Sequence, residues 1–271
     1  MRLIVDGVET FAGTGGRKLD PALPLAVFIH GAGLDHSVWA LLARWFANRG
    51  CTVLAPDLPG HGRSAGEPLA TIAAIADWTA ALIEASQAGP ARIIGHSMGS
   101  LVAIETAARH PHKVAALGLI GTAAAMPVTP DLLNAAKAGN HAAIDMMCVW
   151  GHGFAAGLGG SLAPGLWMLG GAERLLERAR PDVLFRDLCA CNAYGDGLAS
   201  AAKASAPAIV VLGERDLMTP AKAGRQLAAA LPNARVVVLH GAGHMLISER
   251  PDEVLEAVRG MAGVGVGSAA P

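Results

Sequence analysis

Residues 91–99 read Ala91-Arg92-Ile93-Ile94-Gly95-His96-Ser97-Met98-Gly99. Its first four residues form an apolar run that predicts a strand, and a helical pattern begins at Met98. The turn between them has the spacing G-x-S-x-G, which forces the serine into a strained backbone conformation above the edge of a sheet. Side chains at positions 95 and 99 would collide with the adjoining helix and strand. The pattern therefore predicts a nucleophile at Ser97, with an ordinary Gly/Ser loop as the alternative.

The same alternation of strand and helix extends along the chain. Apolar runs predict strands at residues 25–29, 51–55, 91–94, 114–120, 208–212 and 234–239. Helical patterns lie at residues 38–49, 72–88, 98–109, 220–231 and 251–261. Continuous apolar strands that alternate with helices indicate an α/β fold whose mostly parallel central sheet carries helices on both faces. Ligand sites in such sheets lie at the carboxyl ends of the strands.

The alternation stops after residue 122 and resumes at residue 207. An interruption of this length is too long for a loop in a compact domain. It also has a helical pattern of its own. We therefore predict an α/β core of residues 1–122 and 207–263, a cap or lid of residues 123–206 that covers the site, and a flexible tail of residues 264–271.

A serine nucleophile needs a base and an acid that orients the base. His244 lies in the loop after the last predicted strand, and Asp216 follows the strand at 208–212. The order Ser97, Asp216, His244 is the one expected on such a sheet. His30 and His61 are competing bases, but both precede Ser97 in the chain. The loop after residue 120 holds no carboxylate, which favours Asp216 as the acid.

The negative oxygen that forms during acyl transfer needs backbone N–H donors. The N–H of Met98, directly after the nucleophile, is one candidate. The second is the N–H of Ala32 in the loop His30-Gly31-Ala32-Gly33 that follows the first long strand. This loop lacks the glycine and lysine spacing of a phosphate-binding loop.

Composition excludes several other classes of protein. The chain has 271 residues, of which 52% are hydrophobic and 16% charged, and its net charge is −1. Such values exclude a disordered chain. They also argue against general binding of nucleic acid, because the chain has no excess of positive charge to neutralise phosphates. Four cysteines do not form a disulfide framework, and the pair Cys189 and Cys191 has no further metal ligands at a usual spacing. We expect buried or lid-facing thiols, and no metal or other cofactor.

The sequence predicts neither a signal peptide nor a membrane span. The first residues lack the apolar core of a signal peptide. Residues 146–172 carry no charged side chain but hold eight glycines, which favours a mobile apolar lid over a membrane span. We expect a cytoplasmic protein with a small-molecule substrate and no membrane span, and the sequence leaves its oligomeric state open.

Five motifs together resemble those of the α/β-hydrolase family. They are His30-Gly31-Ala32-Gly33, Asp57-Leu58-Pro59-Gly60-His61-Gly62-Arg63-Ser64, Gly95-His96-Ser97-Met98-Gly99, Gly213-Glu214-Arg215-Asp216 and Gly241-Ala242-Gly243-His244. The resemblance spans about residues 25–260. It implies the α/β-hydrolase fold with a helical cap inserted after strand six, and a structural role for the segment that contains His61.

The resemblance implies a serine hydrolase of the esterase or lactonase type, acting through an acyl-enzyme at Ser97. The apolar, methionine-containing insertion favours a small to medium apolar ester, lactone or thioester. His152 is expected as an exposed loop residue, with substrate contact as the alternative. Arginines in the insertion (Arg174, Arg178, Arg180 and Arg186) are expected on a solvated helix face rather than in a carboxylate clamp. A C–C bond hydrolase or lyase of aromatic degradation, and a non-catalytic receptor, remain alternative functions.

Overall fold

The computed structural model describes residues 1–160 and 167–262. The strands are β1 (Arg2–Val5), β2 (Val8–Gly13), β3 (Leu25–Ile29), β4 (Thr52–Pro56), β5 (Ala91–His96), β6 (Val114–Ile120), β7 (Ala208–Gly213) and β8 (Ala234–Leu239). The helices are α1 (Ala40–Asn48), α2 (Ile72–Ala85), α3 (Met98–Arg109), α4 (Pro130–Lys137), α5 (Ala142–Gly151), α6 (Phe154–Gly157), α7 (Met168–Glu177), α8 (Val183–Ala193), α9 (Gly197–Lys203), α10 (Ala221–Ala230), α11 (Leu246–Glu249) and α12 (Pro251–Val258).

All eight strands form one sheet in the order β1-β2-β4-β3-β5-β6-β7-β8. The pairs β1–β2 and β2–β4 are antiparallel, and the pairs from β4 through β8 are parallel. The predicted α/β class with a mostly parallel sheet is confirmed. Strand β5 lies in the interior of this sheet between β3 and β6, so the turn after it is supported from both sides.

Helices cover both faces of the sheet, as the apolar strands predict. In β5, Ile93 packs into a buried cluster with Leu101 of α3, while Ile94 packs into a second cluster with Phe46 of α1 and Val254 of α12. Successive strand residues point to opposite faces. Each face of β5 is therefore sealed, and only its carboxyl end is open to a ligand.

The hairpin of β1 and β2 was not among the predicted strands. Asp6 and Gly7 join these strands with φ values of 48° and 77°. Two consecutive residues with positive φ define the type I′ turn, and the dipeptide Asp-Gly is its usual sequence. The signal was therefore present, but the flanking residues are mostly exposed or half-buried and lack a clear apolar run.

Between β6 and β7 the described residues form the six helices α4 to α9. We call residues 123–206 the insert. Its division from the core as a separate cap stays a prediction, and the predicted tail of residues 264–271 lies outside the described residues. Within the described part of the chain, no helix combines the length and apolar character that crossing a membrane requires.

Candidate active site

Ser97 lies at the junction of β5 and α3 with φ 54° and ψ −122°. Positive φ is uncommon for a residue with a side chain, and it concentrates at functional sites. The N–H of Ser97 donates to the carbonyl of Ile120 at 2.9 Å, which ties the strained residue to β6. The fold therefore holds Ser97 at the open end of the sheet in the conformation predicted for a nucleophile elbow.

Two glycines make this turn possible. A Cβ added at Gly95 would lie 2.1 Å from the carbonyl oxygen of Gly99, and a Cβ at Gly99 would lie 2.2 Å from that of Ile29 in β3. Both distances are far inside van der Waals contact with backbone atoms that have little room to move. The collisions expected from the G-x-S-x-G pattern are thus present on both sides.

His244 and Asp216 form a buried pair at the ends of β8 and β7. His244 Nδ1 lies 2.8 Å from Asp216 Oδ2. Because an ionised carboxylate only accepts hydrogen bonds, Nδ1 carries the proton and Nε2 presents its lone pair. His244 Nε2 is buried and has no hydrogen-bond partner among the described residues. His244 Nε2 can therefore accept a proton.

Asp216 is held by more than the histidine. Its Oδ1 accepts from the N–H groups of Met218 and Thr219 at 2.8 and 2.7 Å, and its Oδ2 accepts from the Thr219 hydroxyl at 2.7 Å. Burial alone would raise the pKa of Asp216, but His244 and the Thr219 hydrogen bonds hold it below its ordinary value. The carboxylate stays ionised and can orient the His244 ring.

Two pockets meet at Ser97. The first, which we call the apolar pocket, has a volume of about 130 Å³ and includes Met126, Val128, Leu132, Trp150, Leu188 and Leu217 in its lining. The second, the histidine pocket, is lined by His96, His152 and His244 together with apolar residues of the insert. Ser97, His244 and Ala32 line both pockets. The structure thus brings the predicted serine, histidine and oxyanion-loop residues to one place.

The predicted backbone donors are also positioned beside the serine. Met98 is the first residue of α3, where an N–H has no acceptor inside the helix. The N–H of Ala32 has no acceptor among the described residues. Their roles as an oxyanion hole, like the roles of Ser97, Asp216 and His244 in a catalytic triad, stay predictions.

A carboxylate from the insert, which the sequence analysis did not single out, supports the loop of Ala32. Asp187 in α8 accepts from the N–H of Gly33 and from Nε2 of His61, both at 2.8 Å. His61 Nδ1 also lies 3.0 Å from the carbonyl of Pro59. Both acceptors require a proton, so His61 is an imidazolium. This arrangement agrees with the structural role expected for His61.

His30, the other competing base, is also used structurally. Its Nδ1 lies 2.9 Å from the carbonyl of Gly31, and its Nε2 accepts from the N–H of Leu58 at 3.1 Å. Burial lowers the pKa of His30 to about 4. Among the three candidate bases, His244 is the one whose lone pair faces the cavity of Ser97.

The expectation of an exposed His152 is wrong. The residue follows α5 and is only 6% exposed. The loop 151–153 is pulled inward because Met245 donates its N–H to the carbonyl of Gly151 at 2.7 Å, and Gly153 donates its N–H to Glu249 at 3.0 Å. Polar loop residues usually lie at the surface, but here Gly153 and Gly243 permit close packing of the insert against the His244 loop.

The arginines of the insert lie at its surface, as expected, but three of them reach the core. Arg178 pairs with Asp35 at 2.7 Å and Arg186 with Glu67 at 3.6 Å. Arg180 donates to the carbonyls of Ser64 and Gly66, the latter at 3.3 Å. Arg174 pairs within the insert, with Glu173 at 2.9 Å. None of the four lines either pocket, in agreement with the expected surface role.

Two groups of side chains within the described residues have the spacing of metal ligands. They are Asp35 with His36 and Asp57, and His141 with Glu173 and Glu177. The first group is already joined by hydrogen bonds, since His36 donates to Asp57 at 2.7 Å from both its ring and its backbone nitrogen. Neither group lines either of the two pockets at Ser97. The arrangement around Ser97 instead suits nucleophilic attack by the serine hydroxyl.

Comparisons with known proteins point to one family. The model of the "Alpha/beta hydrolase family" matches residues 26–257. A pimeloyl-[acyl-carrier protein] methyl ester esterase of Chromobacterium violaceum is 35% identical over 232 residues, covering 82% of this chain and 87% of that protein. The protein of the same name from Aromatoleum aromaticum is 32% identical over 256 residues, covering 88% of this chain and 99% of that protein.

Solved structures agree with this assignment. The enol-lactonase from Burkholderia xenovorans LB400 superposes with a TM-score of 0.85 at 26% identity, covering 96% of this chain and 98% of that chain. A thermophilic esterase superposes with a TM-score of 0.75, also at 26% identity, covering 96% of each chain. Together with the matched family model and the elbow geometry, these similarities establish that the chain belongs to the α/β-hydrolase family.

Proposed function

We propose that this protein is a serine hydrolase that cleaves a carboxylic ester, lactone or thioester of a small to medium apolar substrate through an acyl-enzyme at Ser97. One observation carries the proposal. The strained Ser97 faces the same cavity as His244, whose Nε2 is free because Asp216 holds Nδ1 at 2.8 Å. A serine hydroxyl that shares a cavity with an oriented imidazole is the combination that activates serine for attack on a carbonyl.

In the acylation step, Ser97 Oγ attacks the carbonyl carbon while His244 Nε2 takes the hydroxyl proton. The N–H groups of Ala32 and Met98 donate to the negative oxygen that forms. Asp216 stabilises the imidazolium, which then gives its proton to the departing alcohol. Water attacks the acyl-enzyme by the same route and releases the acid and the free Ser97 hydroxyl.

The two pockets suggest how a substrate divides between them. The apolar pocket suits the acyl group, because its aliphatic and aromatic walls contain few hydrogen-bonding groups. The smaller histidine pocket suits a short alcohol. The relatives named above as methyl ester esterases and the enol-lactonase support this class of substrate. We further propose that residues 123–206 act as a cap, since Leu132, Trp150 and Leu188 of this segment line the apolar pocket.

A matrix of esters tests the proposal. Methyl, propyl and hexyl esters of acids from two to twelve carbons should show kcat/KM that is highest for methyl esters of medium acyl chains. Ser97→Ala should lower kcat by at least about 10³-fold, since residual catalysis then comes from binding and the oxyanion donors alone. Ser248→Ala is the matched control, because its hydroxyl donates only to the carbonyl of Met245. Full turnover by Ser97→Ala would overturn the proposal.

A further inference from the structure

Three histidines of the histidine pocket share one pattern of hydrogen bonding. His96 Nε2 lies 2.9 Å from the carbonyl of His244, and His152 Nδ1 lies 2.9 Å from the carbonyl of Cys148. Each carbonyl only accepts, so the tied nitrogen carries the proton, as in the pair of His244 with Asp216. The opposite nitrogens are His96 Nδ1, His152 Nε2 and His244 Nε2. All three are buried without a partner among the described residues.

Each of these three nitrogens therefore carries a lone pair and can accept a hydrogen bond. Burial lowers the pKa of His96 to about 3 and also lowers the pKa of His152, so both rings are neutral at pH 7. A cluster of acceptors favours a ligand that donates hydrogen bonds, such as a hydroxyl group. The pocket gives the centre of a water molecule about 20 Å³ of room. One buried water needs ~10–15 Å³, so the space fits a single water or a hydroxyl of similar size.

The position of His152 relative to His244 is fixed by the backbone around it. Glu249, which is 6% exposed, accepts from the N–H of Gly153 at 3.0 Å and from the N–H of Gly243 at 3.1 Å. A Cβ added at Gly243 would lie 2.3 Å from the nitrogen of Gly153. The insert and the His244 loop thus meet without space between their backbones, and His152 is held in the pocket by its chain neighbours.

We propose that His152 Nε2 accepts a hydrogen bond from the water that hydrolyses the acyl-enzyme and so orients that water for attack. The inference rests on the proposed function. Water donates one O–H to His244 Nε2 and the other to His152 Nε2, which leaves an oxygen lone pair for the acyl carbon. His244 takes the first proton as the C–O bond forms, and the second stays on the oxygen. The intermediate then releases Ser97 Oγ, which recovers the proton from His244.

A short alcohol can occupy the same site, because its single O–H reaches His244 and its carbon replaces the second hydrogen. An alcohol therefore does not need His152. Attack by water and attack by methanol should therefore respond differently to loss of the His152 acceptor. The loss should slow attack by water more than attack by methanol.

Two substitutions separate the proposed role from a structural one. In His152→Asn the side-chain amide can still donate to the carbonyl of Cys148, but nothing replaces Nε2. In His152→Gln the amide extends to the position of Nε2 and can supply an acceptor there. His112→Asn is the matched control, because His112 is exposed and lines neither pocket.

The experiment carbamoylates the enzyme with p-nitrophenyl dimethylcarbamate, removes the reagent, and follows loss of the carbamoyl group by intact mass with and without methanol. We expect His152→Asn to be carbamoylated within about twofold of the wild-type rate and to lose the group to water about tenfold more slowly, the worth of one hydrogen bond. Methanolysis should change less than hydrolysis, and His152→Gln should recover most of the hydrolysis rate.

Other results would overturn the inference. They are a wild-type rate of hydrolysis in His152→Asn, an equal slowing of carbamoylation and hydrolysis, or a loss confined to methanolysis. Failure of the wild-type enzyme to be carbamoylated at Ser97 is a separate outcome that contradicts the proposed function itself.

Discussion

Replacement of Asp187 by alanine should destabilise the protein and slow catalysis together. The Asp187 carboxylate is 1% exposed and accepts from both Gly33 and His61. Alanine would leave a buried imidazolium and a buried N–H without their acceptor. Removing one partner of a buried ion pair costs ~3–5 kcal/mol of unfolding free energy. At about 2 °C for each kcal/mol in a chain of this size, Tm should fall by about 6–10 °C.

The decrease in Tm caused by Asp187→Ala should depend on pH in a defined direction. Burial would lower the pKa of His61, but the charge and hydrogen bond of Asp187 outweigh burial and raise it. The stabilisation from this shift is complete below the unfolded histidine pKa of about 6.5, and it is lost as pH rises through the folded pKa. The Tm difference between wild type and Asp187→Ala should therefore be larger at pH 6 than at pH 9.

Differential scanning calorimetry at both pH values measures this effect, and ester hydrolysis measures the catalytic one. Because Gly33 adjoins Ala32, kcat should fall by about tenfold or more as the backbone donor moves. Asp196→Asn is the control, since Asp196 is exposed and makes no capping hydrogen bond to α9. A Tm loss under 2 °C, or one equal at pH 6 and pH 9, would show that the Asp187–His61 pair does not stabilise the protein in this way.

Three further outcomes follow from the site. Gly95→Ala should give little folded protein, because the new Cβ meets the Gly99 carbonyl at 2.1 Å; a wild-type melting curve in scanning calorimetry would contradict this. Asp216→Asn should lower kcat by about 10⁴ with little change in Tm, because His244 loses its tautomer; steady-state kinetics check it. Glu249→Ala should lower Tm by about 4 °C and raise the hydrogen exchange of residues 151–153, measured by mass spectrometry.

Local spacing explains why much of the candidate site could be predicted from sequence. Ser97 and its glycines occupy five consecutive residues, and Asp216 and His244 each lie in the short loop after a predicted strand. Parallel strands bring their carboxyl ends to one edge, so strand position alone places these residues together. The predicted fold and family are confirmed, and the predicted ester hydrolysis agrees with the names of the relatives.

The residues that sequence reasoning missed act over long distances in the chain. Asp187 contacts Gly33 across 154 positions, and Glu249 contacts Gly153 across 96. The local sequence around a helical carboxylate does not indicate which distant backbone N–H will donate a hydrogen bond to it. His152 was misjudged for the same reason, because its burial comes from the docking of the insert rather than from its own neighbours in sequence.

Labelling with a fluorophosphonate, mapped by peptide mass spectrometry, tests whether Ser97 is the nucleophile. We predict a single covalent adduct on Ser97 in the wild-type protein and its absence in Ser97→Ala, with hydrolysis of a medium-chain methyl ester lost in the same variant. An adduct on another residue, or ester hydrolysis that survives in Ser97→Ala, would contradict a nucleophilic role for Ser97.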